Sequence, residues 1–151
     1  MAGMKIILTI ISVLALAGIA DAGYALNQHY APPLESSCDI NATVSCTAVN
    51  QSDYSVLLGI PVAAIGMAGY ILIGAGALTA LLKPAWRRWL MLAIAAAGVL
   101  ALAFSLWLTY VELFVIKAVC PLCVTSLALV TATTVTAAAG LSRTRQASGR
   151  T

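Results

Sequence analysis

The sequence predicts an all-α integral membrane protein, a four-transmembrane-helix bundle with an extracytoplasmic loop and a short interfacial helix. Three observations carry that expectation. The chain is 62% hydrophobic and only 9% charged, against roughly 25% charged in a globular domain. It contains four apolar runs, each with the ~20 residues that cross a hydrocarbon layer. Its basic residues gather at those ends of the runs that alternation puts on one side.

A single membrane domain is expected over residues 1–151, with spans at about 6–26, 56–82, 89–116 and 119–141. The first run resembles a signal peptide, with Lys5 before it and Ala20-Asp21-Ala22 near its end. Its apolar character continues through Gly23-Tyr24-Ala25-Leu26, so a retained span is expected. The second and third runs exceed the needed length, which predicts tilt or projecting ends. Lys5 precedes the first span, Lys83, Arg87 and Arg88 join the second to the third, and Arg143, Arg145 and Arg150 follow the fourth. Only Lys117 of the eight basic residues falls on the other side. The positive-inside rule therefore puts both termini in the cytoplasm and the 27–55 loop and 117–119 turn outside. The net charge of +3 belongs to this bias; no basic stripe points to nucleic acid. The tail over 142–151 is expected to be frayed and cytoplasmic.

The loop over 27–55 carries Pro32-Pro33, which disfavour helix after the first span. Ser45 is placed to cap a short helix beginning at Cys46, with Val49 and Val56 turned toward the bilayer. Cys38 and Cys46 meet only if the loop folds back. A bond between them closes a short ring, adding about 2–3 kcal/mol in the chain-entropy picture.

Cys120-Pro121-Leu122-Cys123 opens the fourth span. Proline suits a first helical turn. Cys120 then sits near the N-cap, where the helix dipole, aided by Lys117, favours a thiolate. Cys123 follows on the same face, deeper in the membrane. Two dithiols beside a lipid phase suggest electrons passing between protein thiols and a membrane-soluble carrier. Other readings are a four-cysteine zinc site, two structural disulfides, or cysteines packed as small hydrophobes. The C-x7-C spacing disfavours zinc, and no metal is expected. His29 is expected as an interfacial side chain, and Asp21 and Glu112, near outer helix ends, suit snorkelling to water and proton handling equally.

With these residues in place, the chain resembles bacterial members of the vitamin K epoxide reductase family. Cys38-Asp39 and Cys46 match the family's loop pair, and Ser52 its loop serine. Leu58-Gly59-Ile60-Pro61 followed by Gly66 and Tyr70 matches the start of helix two, and Cys120-x-x-Cys123 the active-site pair. The resemblance implies a bundle around a quinone pocket, with menaquinone or ubiquinone as electron acceptor. It makes Cys123 the thiol nearest the quinone, has Cys120 exchange with a loop cysteine, and gives Ser52 a supporting role in the cap. It implies a DsbA-type thioredoxin-fold partner, expected as a separate protein because this chain stops at Thr151. The expected setting is a bacterial inner membrane, with the cysteines on the periplasmic or extracellular side. Animal members hold the vitamin K ring with an asparagine and a tyrosine, where Val62 and Leu127 stand here. Quinone reduction is therefore expected and epoxide reduction is not. The resting pairing is open between Cys38–Cys46 with Cys120–Cys123 and a crossed Cys46–Cys120 bond. Three alternatives remain: a DsbD-type reductase, which needs a thiol reachable from inside; a convergent DsbB-type enzyme; and a non-enzymatic scaffold stapled by two disulfides.

Overall fold

The computed structural model describes residues 2–32 and 38–148. Pro33, Ser36, Ser37 and the last three residues of the tail lie outside them. Four helices are long and apolar enough to cross a membrane. The first, α1, runs Ala2–Tyr30, past the expected end at Leu26. It stops where Pro32 restricts the residue before it. After the loop, Cys46–Asn50 forms the short helix α2, and a 3₁₀ turn follows at Asp53–Ser55.

The second apolar run is not helical from its start. Strands β1 (Val56–Leu57) and β2 (Ile60–Pro61) pair antiparallel, with Val56 opposite Pro61. Leu58 and Gly59 between them have φ of 53° and 82°, the left-handed geometry of a two-residue hairpin turn. Hydropathy is blind to that turn, because five of the six residues over 56–61 are apolar aliphatics or proline. The helix α3 spans Val62–Leu82. A 3₁₀ turn at Pro84–Trp86 leads into α4, Arg87–Val111.

The end of α4 widens into a π-helical turn over Glu112–Ile116, closed by Lys117 with φ of 58°. Both Lys117 and Ala118 donate their backbone N–H to the Glu112 carbonyl. The last helix, α5, begins at Pro121, two residues later than expected, and continues to Ser148. Residues 142–148 are thus helical instead of frayed. The Ser142 and Thr144 hydroxyls bond back to the Ala139 and Leu141 carbonyls, and no breaker occurs before Gly149.

Packing follows chain order around a ring. α1 lies against α3 and α5, α4 against α5 and α3, and α3–α4 is the loosest of the four seams. One half of the bundle is filled by Leu8, Ile11, Ala15, Ala77, Met91 and Ala137. The outward faces carry Leu72, Leu82, Leu100 and Val135, all well exposed, as helices that face lipid require. Hydroxyls within the helices, including Thr79, Thr109, Thr131 and Thr134, bond the carbonyl four residues back. Each of these bonds satisfies a hydroxyl that would otherwise want a partner in an apolar medium.

The candidate redox site

The site is assembled by two hydrogen bonds to the Asn41 side chain, two between backbones and one cap. Asn41 Oδ1 accepts the N–H groups of Thr43 and Val44, each at 2.9 Å, and turns the loop inward. Val44 then pairs with Val119 in an isolated parallel bridge. Val119 N–H donates to the Thr43 carbonyl at 2.7 Å, and Ser45 N–H to the Val119 carbonyl at 3.2 Å. Ser45 Oγ caps α2 by accepting the Ala48 N–H at 3.0 Å. The loop is thereby stitched to the α4–α5 connection, and α2 lies directly over the start of α5.

This placement brings sulfur onto sulfur. Cys38 and Cys46 are joined in a disulfide with their Cα atoms 5.6 Å apart. Cys120 and Cys123 are free thiols. Cys120 Sγ lies 3.6 Å from Cys46 Sγ, and both residues are 0% exposed. The sulfurs of Cys38, Cys46 and Cys120 all lie within 4.8 Å of one another. Two of the three are already bonded together, and Cys123 stands outside the trio. A disulfide sulfur beside a free thiol is the arrangement that thiol–disulfide exchange requires. Val49, expected to face the bilayer, is buried with Ala118 beneath Cys46 and Cys120, because the Val44–Val119 bridge turns that face of α2 inward.

Cys120 occupies the cap position of α5, its carbonyl accepting the Val124 N–H at 3.1 Å. Its thiol is held below the usual range by a hydrogen bond from the Cys123 thiol, then by the N–H groups of Cys123 and Leu122; burial opposes this. Lys117, expected to assist, is exposed and is not among those groups. Asn50 is a participant that sequence reasoning missed. Its Nδ2 donates to the Cys46 carbonyl at 3.1 Å and approaches Cys120 Sγ at 3.6 Å. His29 Nδ1 bonds the Asn50 carbonyl oxygen and lies 3.4 Å from Ser55 Oγ, so it closes the cap instead of lying free at an interface. The only sequence signal for either was a polar residue at a helix end.

Below the cap a cavity of about 460 Å³ runs between the four long helices. Cys123 lies on its wall, Ser52 at its capped end and Val62 at the top of α3; Leu127 is not among the lining residues, and Ser126 is. Ser52 Oγ donates to the Val49 carbonyl at 2.8 Å and fixes the turn after α2. Tyr70 packs its ring on Gly18 and donates its hydroxyl to the Ser126 carbonyl at 3.2 Å. Gly66 and Gly69 leave open space where a Cβ would stand. Volume and lining fit a small organic ligand, since such sites are about 300–1,000 Å³ and mostly apolar with a few polar groups.

Glu112 does not snorkel. It is 3% exposed, folded under the Lys117–Val119 turn instead of reaching for water. Its Oε2 accepts the Cys120 N–H at 3.3 Å.

A family model described as the vitamin K epoxide reductase family matches residues 9–138. The chain belongs to that family. Its members are in general thiol–disulfide oxidoreductases that use quinones, and the four apolar helices make this one a multi-pass membrane protein. A search of curated proteins returns no match.

Proposed function

We propose that this chain is a quinone-dependent thiol oxidoreductase that takes electrons from a DsbA-type thioredoxin-fold partner and so supports disulfide formation. The supporting observation is the 3.6 Å approach of Cys46 to Cys120, with Cys123 next in line on the wall of an apolar cavity. Charge placement orients the cysteine end outward, periplasmic in a bacterial inner membrane, and both termini inward.

The partner's thiolate attacks Cys38, the only partly exposed sulfur of the loop pair, and releases Cys46. The partner's second thiol then resolves that mixed disulfide and leaves the loop reduced. Cys46 attacks Cys120 of an oxidised Cys120–Cys123 pair, and Cys123 leaves as thiolate. Cys38 next attacks Cys46, which restores the loop disulfide and frees Cys120. That is the state of the structure: loop oxidised, helix pair reduced. A quinone supplies the sink for two electrons and two protons. Within the chain, Cys120 and Cys123 close their disulfide, α2 and the His29–Asn50 contact keep water from the sulfurs, and the small residues of α3 leave room for a ring. Low leaving-group pKa favours each exchange, which suits the depressed thiol of Cys120.

The test mixes purified protein with a reduced DsbA-type protein and a soluble quinone, following quinone absorbance for wild type and each Cys→Ala variant. Turnover in wild type and loss in all four variants is expected. A wild type that reduces no quinone with its disulfides intact leaves the stapled-scaffold reading in its place.

A further inference from the structure

The buried carboxyl of Glu112 has no assigned task in the exchange above. Its backbone carbonyl ends α4, and Oε2 holds the Cys120 N–H at the start of α5. Oε1 is buried and has no hydrogen-bond partner among the described residues. Glu112 and Cys123 line the same cavity, and Oε2 of Glu112 bonds the N–H of Cys120, three residues before Cys123. An orphaned carboxylate oxygen in such a place is costly unless it takes a proton. The Cys123 sulfur on the same cavity must shed one.

We infer that Glu112 is the proton carrier of the site, taking the Cys123 thiol proton on Oε1 and passing it toward the electron acceptor. The inference rests on the quinone reading above. In the oxidative half-reaction, the Cys123 S–H bond breaks and its proton moves to Glu112. The Cys120–Cys123 sulfur–sulfur bond forms as two electrons pass to the quinone. The proton on Glu112 and the Cys120 thiol proton end on the two quinol oxygens. Protons and electrons balance with no water in the cavity. Cys120 and Glu112 are both buried, so a fixed carboxyl replaces the solvent as acceptor and donor.

A purely structural Glu112 would only need to accept the Cys120 N–H. Glu112→Gln keeps that acceptor and the side-chain volume but cannot carry the proton. The experiment is a single turnover of protein reduced by dithiothreitol, mixed with short-chain benzoquinone or naphthoquinone and followed by quinone absorbance. General acid–base catalysis contributes typically 10²–10⁴-fold, so Glu112→Gln should react about 100-fold more slowly. Its loop disulfide should be reduced by dithiothreitol at the wild-type rate. Glu112→Ala should be equally slow and should recover in part with added formate, a response that lost packing does not give. Wild-type rates in Glu112→Gln overturn the inference, as do slow Glu112→Ala turnover without formate rescue and Glu112→Asp no faster than Glu112→Ala. A wild type that reduces neither quinone fails the functional reading itself, a distinct result.

Discussion

At the residue scale, the sulfurs make the sharpest prediction. Cys46 lies 3.6 Å from Cys120, so the double variant Cys38→Ser, Cys123→Ser should form a Cys46–Cys120 disulfide readily under mild oxidant. Cys46→Ser, Cys123→Ser should lag behind it. Peptide mapping without reductant distinguishes them, and equal yields would contradict the assigned exchange order. A second prediction concerns Asp39. Hydrogen bonds from Thr47, then from Ser45 and the Cys46 N–H, hold its exposed carboxyl below the usual carboxylate value of 3.8. Its folded pKa is depressed, so its contribution is complete above the unfolded value and fades as pH falls below it. Loop protection against acid proteases should therefore weaken as pH drops under 3.8, and Asp39→Asn should show that weakness already at neutral pH with a neutral protease.

At the element scale, close helix approach sets the vulnerable points. A Cβ on Gly98 would stand 2.6 Å from Thr134 Oγ1, at the α4–α5 seam. Gly98→Ala should cost about 1–3 kcal/mol by overpacking, read as a lower Tm in detergent; an unchanged Tm would mean that the seam relaxes. Elements also show what the sequence could convey. The existence of the four spans was legible because apolar length alone decides it. Their ends were not, because ends depend on partners distant in sequence. Val56–Pro61 is apolar and joins α3 without a polar break, yet two left-handed residues fold it into a hairpin. Cys120 at the cap of α5 was legible from Pro121, and Ser45 as the cap of α2 from its place before Cys46. The inward face of α2 was not, since it follows from Val44 meeting Val119, 75 positions away in the chain. The inward turn of Glu112 was hidden for the same reason: its charge marks a span end, but the turn that covers it is a matter of backbone geometry.

Across the whole molecule, the ring of helices leaves a space at one end and a filled core at the other. All four cysteines sit at the open end, and the filled half carries none; in the proposed orientation a DsbD-type route has no thiol reachable from inside. Gly66 lines the cavity, and a Cβ added there would meet nothing within 4 Å. Gly66→Leu should fill the cavity and raise the Michaelis constant for quinone about tenfold, equal to about 1.4 kcal/mol of binding. Tm should hold or rise, because glycine inside a helix is about 1 kcal/mol worse than alanine. Unchanged quinone kinetics would place the acceptor elsewhere. The wide turn at Glu112–Ile116 bears on the bundle as a whole. Each residue of a helix advances the chain by about 100° of rotation, and the π turn absorbs one extra residue between α4 and α5. The site is therefore keyed to a count more than to a composition. Exchanges among the exposed Leu113, Phe114 and Val115 leave the arithmetic intact. Losing any one of them would turn α5 out of phase and carry both thiols away from the loop that serves them.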